Sequence, residues 1–449
     1  MERWRSAAHS HCSCPRPTGG ESRGGESAGG LYAASAIGSI AGSLLTAFVM
    51  VPWLGLDGAS VLCTILAGGS ALICTSRAAM LAAVVVVVSA ANPFLYRHPA
   101  GLFVTGTYAY AYRYAGGEAA APAAPPPRRV LALYASLDDP SRPRLPAVEP
   151  PEGNNAWIFR KDGLCASVAV GESAGVRSLL INGKTDASSF GPGDMRTQLL
   201  LGHLPSLLRR ADGGRALVIG LGSGTTLTAI AEHPFREVVA AEVEPAVVQA
   251  AVLFAATGGG VPARATVVVD DGRQVLARDP GTFDVITSEP SNLWMAGVAH
   301  LFTRELFQEA RAHLAPGGLF CQWLHLYQIG EDDVRVLLRT LRAVFPRLHL
   351  FADGPDLLVI AGDTLADPEV VSRRFQVAGV RAHLARGRFD ELPRILETYV
   401  GDETLVDRFA GAGPLNTDDA PILEFRAPKS LLRDDSARIL ASLCRAAGP

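Results

Sequence analysis

The sequence predicts an α/β fold built on a parallel sheet, and three observations predict it. Short apolar runs recur at Ala216, Val238, Ala265 and Phe283, the length of buried strands. Helix-compatible stretches separate them, the alternation that produces βαβ units. The runs end in glycine or acid: Gly220 after the first, then Glu242, Asp270 with Asp271, and Glu289. Ligands in open parallel sheets bind at the carboxyl ends of the strands. Four consecutive polar ends therefore point to one site.

The first strand, Ala216 to Ile219, opens into Gly220-Leu-Gly222-Ser223-Gly224, and a helix-compatible stretch from Thr225 to Glu232 follows. Glycines there let the backbone approach a nucleotide and turn sharply into a helix, whose N-terminal amides favour electron-rich groups. Alone the motif is weak, because a tight structural turn uses the same residues. Its context is stronger. Glu242 ends the second run about twenty residues later, where a Rossmann-like unit sets an acid on the ribose hydroxyls. A carboxylate is acceptor-only with two oxygens, which suits two vicinal hydroxyls. Ala265 to Gly272 is a third strand ending in acid, and Phe283 to Pro290 a fourth. Gly318 and Leu348 mark further strand starts, and Asp356 to Ala361 is a final strand. Thr225-Thr226 follow Gly224 where a Walker motif requires Lys-Ser/Thr, which disfavours phosphate binding.

Upstream, Trp157 to Asp186 has short alternating runs with turns at Asp162-Gly163 and Asn182-Gly183, the pattern of a small antiparallel sheet. A helix over Thr197 to Arg209 follows. Leu31 to Ala91 is an apolar block whose only charges are Asp57 and Arg77. Leu31 to Val51 reaches the roughly 20 residues that span a bilayer, and Ala59 to Thr75 and Ala78 to Leu95 are two further candidates. The resulting division is 1–30 disordered, 31–95 two or three transmembrane helices, 96–152 linker, 153–190 small β-domain, 191–363 Rossmann-like domain and 364–449 helical extension. Net charge is −3 and there is no basic run, so nucleic acid is not a predicted partner. Seven scattered cysteines imply no disulfide framework, and no metal-ligand set is read.

From about Trp157 to Phe425 the chain resembles the spermidine synthase (polyamine aminopropyltransferase) family, most closely its membrane-fused bacterial branch. The stretches that carry this are Ile181 to Ala187, Gln198 to Pro205, the Gly220–Gly224 loop, Glu242-Val-Glu244-Pro245 and Asp270-Asp-Gly-Arg273. The strongest is Ser288-Glu-Pro-Ser-Asn-Leu-Trp-Met-Ala-Gly297. Leu301 to Glu305, Pro316 to Gly318, Gln322-Trp323 and Asn416 to Asp419 complete the set. The Gly-x-Gly-x-Gly spacing is similar to that of S-adenosylmethionine sites. The resemblance implies a fold like the S-adenosylmethionine-dependent methyltransferases, preceded by a small antiparallel sheet and transmembrane helices. It implies decarboxylated S-adenosylmethionine as co-substrate, with no metal, and a putrescine-like amine as acceptor. It further implies a lipid bilayer and a homodimer as partners, and a multi-pass membrane protein with its catalytic domain in the cytoplasm.

By that resemblance Gly220, Gly222, Ser223, Gly224 and Gly272 form the nucleoside site. Glu242 holds the ribose and Asp271 the adenine amino group. Glu289 takes the place of the family's catalytic aspartate and accepts the proton of the attacking amine. Gln198 and Asn292 fall at the amine-binding positions, and Trp294, the third substrate-binding candidate, either forms a lid over the ligand with Met295 or packs the loop. The departures are informative. Ser223 replaces an aspartate that disfavours intact S-adenosylmethionine, so a methyltransferase is the alternative enzyme. Thr197-Gln198-Leu199 keeps one residue of the family's polyamine triplet, and Asn292 replaces its second active-site aspartate. A nucleoside- or polyamine-sensing domain without turnover is the third reading. Trp323, His325 and Tyr327 alternate on one strand face and either line the amine pocket or pack the core.

Overall fold

The computed structural model describes residues 21–51, scattered positions between 53 and 66, and residues 156–447 apart from 192 and 432. The chain divides into two units, residues 1–83 and 84–449. In the first, helix α1 (Glu21–Leu45) runs on through a π-helical turn at Thr46–Met50. Ala33–Met50 has mean hydropathy 1.7 and is long and apolar enough to cross a bilayer. Its Ile37, Ile40 and Phe48 side chains are exposed. Among the described residues it is the one helix of this kind, so several spans find no further support. The helix begins at Glu21, inside the stretch assigned to disorder from its Gly/Ser content. Apolar residues downstream carry the helix, and propagation back through them costs less than nucleation. The candidates at Ala59–Thr75 and Ala78–Leu95, and the linker at 96–152, lie wholly or largely outside the described residues.

The second unit opens with a four-stranded antiparallel sheet, β1 (Ala156–Asp162), β2 (Ser167–Ser173), β3 (Val176–Ile181) and β4 (Lys184–Ser188), in that spatial order. Its β3–β4 turn is Asn182-Gly183, both with positive φ, the turn whose twist matches a hairpin. The β2–β3 turn, Ala174-Gly175, has the same backbone form.

Helix α2 (Asp194–Leu208) leads into the main sheet. Its strands are β5 (Arg215–Ile219), β6 (Glu237–Glu242), β7 (Ala265–Val269), β8 (Phe283–Ser288), β9 (Leu314–His325), β10 (Leu348–Asp353), β11 (Asp356–Ala361) and β12 (Tyr399–Asp402). The spatial order is β12-β10-β11-β9-β8-β5-β6-β7. The segment β9-β8-β5-β6-β7 is parallel, and β11, β10 and β12 add antiparallel pairs. The strand expected to start at Gly318 starts at Leu314 instead, because Leu314 already pairs with Phe283 across a register shift. The C-terminal region is mostly helical but is not an appendage. β12 pairs with β10 and joins the main sheet.

Two connecting helices are capped by acids that lie just past the preceding strands. Glu244 accepts from the amide of Ala246 at the start of α4 (Pro245–Ala251), the helix after α3 (Thr225–Ala231). Asp271 caps α5 (Gly272–Arg278) through Arg273 and Gln274. Each acid places negative charge where unpaired helix amides gather. Both sheet faces are covered. Leu217, Ile286, Phe320 and Phe345 centre one layer; Leu200, Leu319, Ile360 and Phe389 belong to another. The small sheet packs through Val168, Val170 and Leu179 with Val218, Val247 and Phe254. His203 bridges two rings, with nitrogens 2.9 Å from His233 and 3.1 Å from His383. Burial pushes all three imidazoles below their usual range, so the chain is neutral and structural.

Candidate active site

The carboxyl ends of the parallel strands meet the small sheet around a cavity of about 890 Å³. The glycine loop forms one wall. Gly220 has φ +94° and a Cβ there would lie 2.4 Å from the Glu289 carbonyl oxygen, so only glycine lets the β5 and β8 ends approach. Gly224 does not line the cavity. Its φ is +77°, and a Cβ would meet the Gly260 carbonyl oxygen at 2.0 Å, so it makes the turn possible rather than touching a ligand.

Glu242 is buried at the end of β6, opening on the cavity. Its carboxylate accepts from the amides of Leu221 and Glu244, both at 2.9 Å. Burial raises its pKa and those amide bonds oppose the rise. The group is thereby fixed between the glycine loop and the next helix, with acceptor capacity left for a ligand diol. Asp271 and Gly272 lie on the same wall. Glu244 reaches across to the small sheet, accepting from the amides of Cys165 at 2.7 Å and Ala166 at 3.3 Å. The β1–β2 turn is thus tied to the β6–α4 connection.

Glu289 follows β8 and lines the cavity, half-buried. Thr226, in the first turn of α3, hydrogen-bonds its carboxylate and also the carbonyl of Gln198. Burial raises the Glu289 pKa to about 8; the Thr226 bond opposes this, while the charges of Asp356 and Asp186 add to it. Gln198 in turn accepts from the Ser223 hydroxyl at 3.0 Å. Helix α2, the glycine loop and the end of β8 are thus joined by one polar network.

Residues 195–352 match the family model for the spermine/spermidine synthase domain. Over these residues the α/β domain is similar to the spermine/spermidine synthase family. Among curated relatives, polyamine aminopropyltransferase 2 of Pseudomonas aeruginosa is 28% identical over 189 residues, 40% of this chain and 54% of that protein. Spermidine synthase of Dictyostelium discoideum is 29% identical over 161 residues, 34% of this chain and 54% of that protein. The chain spans about half the length of these relatives. The crystal structure of spermidine synthase from Thermotoga maritima aligns with TM-score 0.42 and 22% identity, over 54% of this chain and 86% of that one.

Within the matched region, Gly220, Gly222, Ser223, Glu242, Asp271, Gly272, Glu289, Gln198 and Trp294 come together on the cavity wall. Asn292 does not: its side chain is fully buried behind the wall. Trp294 is buried and donates to Gln328 at 3.2 Å, so it is a packed wall rather than a free flap. Trp323 and Tyr327 line the cavity and His325 does not. His325 donates from Nδ1 to the Tyr327 carbonyl and accepts the Leu293 amide at Nε2, holding the loop. That pattern requires a neutral ring, and burial lowers its pKa to about 3. The sequence reading missed Asp356 at the start of β11, which also lines the cavity. Burial raises its carboxyl to about 6. The signal was present: an antiparallel strand brings its first residue, not its last, to the edge where the parallel strands end.

Proposed function

We propose that the synthase domain is an aminopropyltransferase that uses decarboxylated S-adenosylmethionine and an aliphatic amine. The observation that carries this reading is Glu289, held at the cavity wall on the side of the glycine loop opposite the loop's bond to Glu242. The ribose would bridge to Glu242 and the adenine amino group to the free oxygen of Asp271, with the glycine loop against the nucleoside. The amine nitrogen attacks the aminopropyl carbon bound to sulfur. The C–N bond forms as the C–S bond breaks, and the bonding pair returns to sulfur, leaving neutral methylthioadenosine. The amine proton passes to Glu289. No metal is required by this route, because a sulfonium is already a good leaving group. The domain's contribution is alignment of the two reactants and a base of suitable pKa.

A methyltransferase is the second reading, and Ser223 favours it. Its neutral hydroxyl faces the cavity and bonds Gln198, so nothing at that position repels the carboxylate of intact S-adenosylmethionine. Both readings are tested by mass spectrometry of products from detergent-purified protein given both donors and an amine mixture. Amine-dependent methylthioadenosine supports the first, and S-adenosylhomocysteine the second. Donor binding without either product removes both.

Ala33–Met50 supports attachment to a membrane, with the catalytic domain on the side where the donor is made. Fractionation of cells expressing the full chain tests this: the protein stays with the membranes through a carbonate wash, or the anchor is dismissed.

A further inference from the structure

We propose that His383, in the C-terminal helical region, is a positioning residue for the nucleoside site. Through the turn Gly258–Gly260 it holds the glycine loop at Ser223 from behind the cavity wall. This rests on the nucleoside-binding part of the function proposed above, and not on which group is transferred.

The turn lies directly against the loop. The Gly260 amide donates to the Ser223 carbonyl at 2.8 Å, and a Cβ on Gly259 would lie 2.3 Å from that same oxygen. Ser223 in turn lines the cavity and bonds Gln198. Gly258 and Gly260 have φ of +90° and +92°. Within the turn, the amides of Gly258 and Gly259 reach back to the carbonyls of Ala255 at 3.4 Å and Phe254 at 3.0 Å. Consecutive glycines have no side chains to pack and the widest backbone freedom. The position of this turn is therefore set by the groups that bond it from outside.

Those groups come from the helix Ala378–Ala385 and the residue after it. His383 Nε2 lies 3.4 Å from the Gly258 carbonyl oxygen. Arg386 donates to the Thr257 carbonyl, and its guanidinium fills the space that a Cβ on Gly258 would need. A carbonyl only accepts, so His383 carries its proton on Nε2 and has a bare Nδ1. That Nδ1 accepts from His203 Nε2, and His203 Nδ1 accepts from His233 Nε2. The Gly258 carbonyl thus orders all three rings, with every donor aimed the same way along the chain. Protonating His203 or His383 would set N–H against N–H. The charges acting on the rings are those of Arg209, Arg374 and Arg264 at His233 and Arg386 at His383. All four are positive, and with burial they keep the chain neutral and its polarity fixed. His203 and Gln198 both stand on α2. One helix therefore holds Ser223 directly through Gln198 and from behind through His383.

The test measures methylthioadenosine binding by calorimetry, and amide hydrogen exchange across residues 221–226 and 257–262, on the full chain in detergent. His383→Leu keeps bulk and loses both bonds. His383→Gln keeps one donor and one acceptor. Val380→Ala trims the apolar layer from the same helix without touching the turn. At temperatures where all variants are folded, H383L is expected to weaken binding about tenfold, the effect of one to two lost hydrogen bonds. Exchange should quicken in both segments. H383Q is expected to restore both readouts, and V380A to lower the melting temperature while moving neither. Should H383L fail to fold, Arg386→Met removes the second hold on the turn from an exposed position, with the same shifts expected. Equal effects of H383L and V380A, or unchanged binding and exchange in H383L or its R386M substitute, overturn the proposal. If the wild type binds no adenine thioether, the nucleoside reading fails separately. The exchange comparison then decides alone: quicker exchange at 221–226 in H383L keeps His383 as the hold on the loop, and equal exchange discards it.

Discussion

Thr226 bonds both the Glu289 carboxylate and the Gln198 carbonyl with one hydroxyl. A hydroxyl has one proton to give. When Glu289 is ionised, Thr226 serves it and the Gln198 carbonyl goes without. When Glu289 is protonated, it donates to Thr226 and the Thr226 proton is free for Gln198. Thr226 is thus a positioning residue that reports the protonation state of Glu289 to α2. Replacing it with Val removes the bond that holds the Glu289 pKa down. The rise of kcat/KM with pH should move to higher pH, with about tenfold lower activity near neutrality. Thr226→Ser should restore the profile. A profile that Val leaves in place would mean the bond is only structural.

Glu289→Gln should lower kcat by about 10² to 10⁴, the range for losing a general base, while methylthioadenosine binding persists. The pH behaviour follows from a pKa near 8. The base is ionised above that value, so free-enzyme activity rises with pH through it. The sulfonium donor adds positive charge, so the rise should lie lower in the donor-bound enzyme. Stability moves the opposite way. The folded state holds a proton on Glu289 between about pH 4.5 and 8 that the unfolded chain has lost, so this group makes stability fall as pH rises across that window. E289Q should therefore melt higher than the wild type at pH 8.5, by about 1–2 kcal/mol given that the group opens on the cavity, with the gap closing at pH 4.5. Unchanged turnover would remove Glu289 as the base.

Glu242→Ala should weaken methylthioadenosine binding about 10- to 100-fold by removing the diol acceptor. It should also loosen the glycine loop, since the amides of Leu221 and Glu244 lose their partner. Titration calorimetry reads the first effect, and faster hydrogen exchange at Leu221 reads the second. Unaltered affinity would end the ribose assignment.

The parts of this fold that were legible in sequence are those written in local pattern. Apolar runs at Ala216, Val238 and Phe283 located strands, and Asn182-Gly183 located a hairpin. The acids at their ends located the cavity wall, because parallel topology puts those ends together. What was not legible depends on partners distant in sequence. Asp356 starts a strand that the resemblance to the S-adenosylmethionine fold makes antiparallel, but its own run does not say that it opens on the cavity until its pairing with His325 of β9 is known. β12 has four residues with no periodic signal, and its pairing with β10 makes it a strand. Asn292 sits in the strongest motif yet points behind the wall, because the turn around it sends Trp294 and Met295 to the cavity instead. Spacing gives the motif but not the side each residue faces.

Asn416 offers the sharpest test of how the C-terminal region serves the site. It is fully buried. Its side-chain amide donates to the carbonyls of Phe302 at 3.0 Å and Ala299 at 3.3 Å, and its oxygen accepts the Leu423 amide at 3.1 Å. Around those carbonyls, Gly297, Val298, His300 and Leu301 line the cavity. Nearby, Arg273 makes a two-pronged ion pair with Asp418, at 2.9 and 2.6 Å, tying α5 to the same turn. Asn416→Ala leaves buried carbonyls and an amide without partners, which should cost about 2–4 kcal/mol of stability. If the turn positions the loop, methylthioadenosine binding should weaken at temperatures where the variant is still fully folded. Asn416→Asp keeps the acceptor for Leu423 but turns a carboxylate toward two carbonyls, so it should be at least as damaging. Weakened folding with full ligand affinity would instead confine Asn416 to the core.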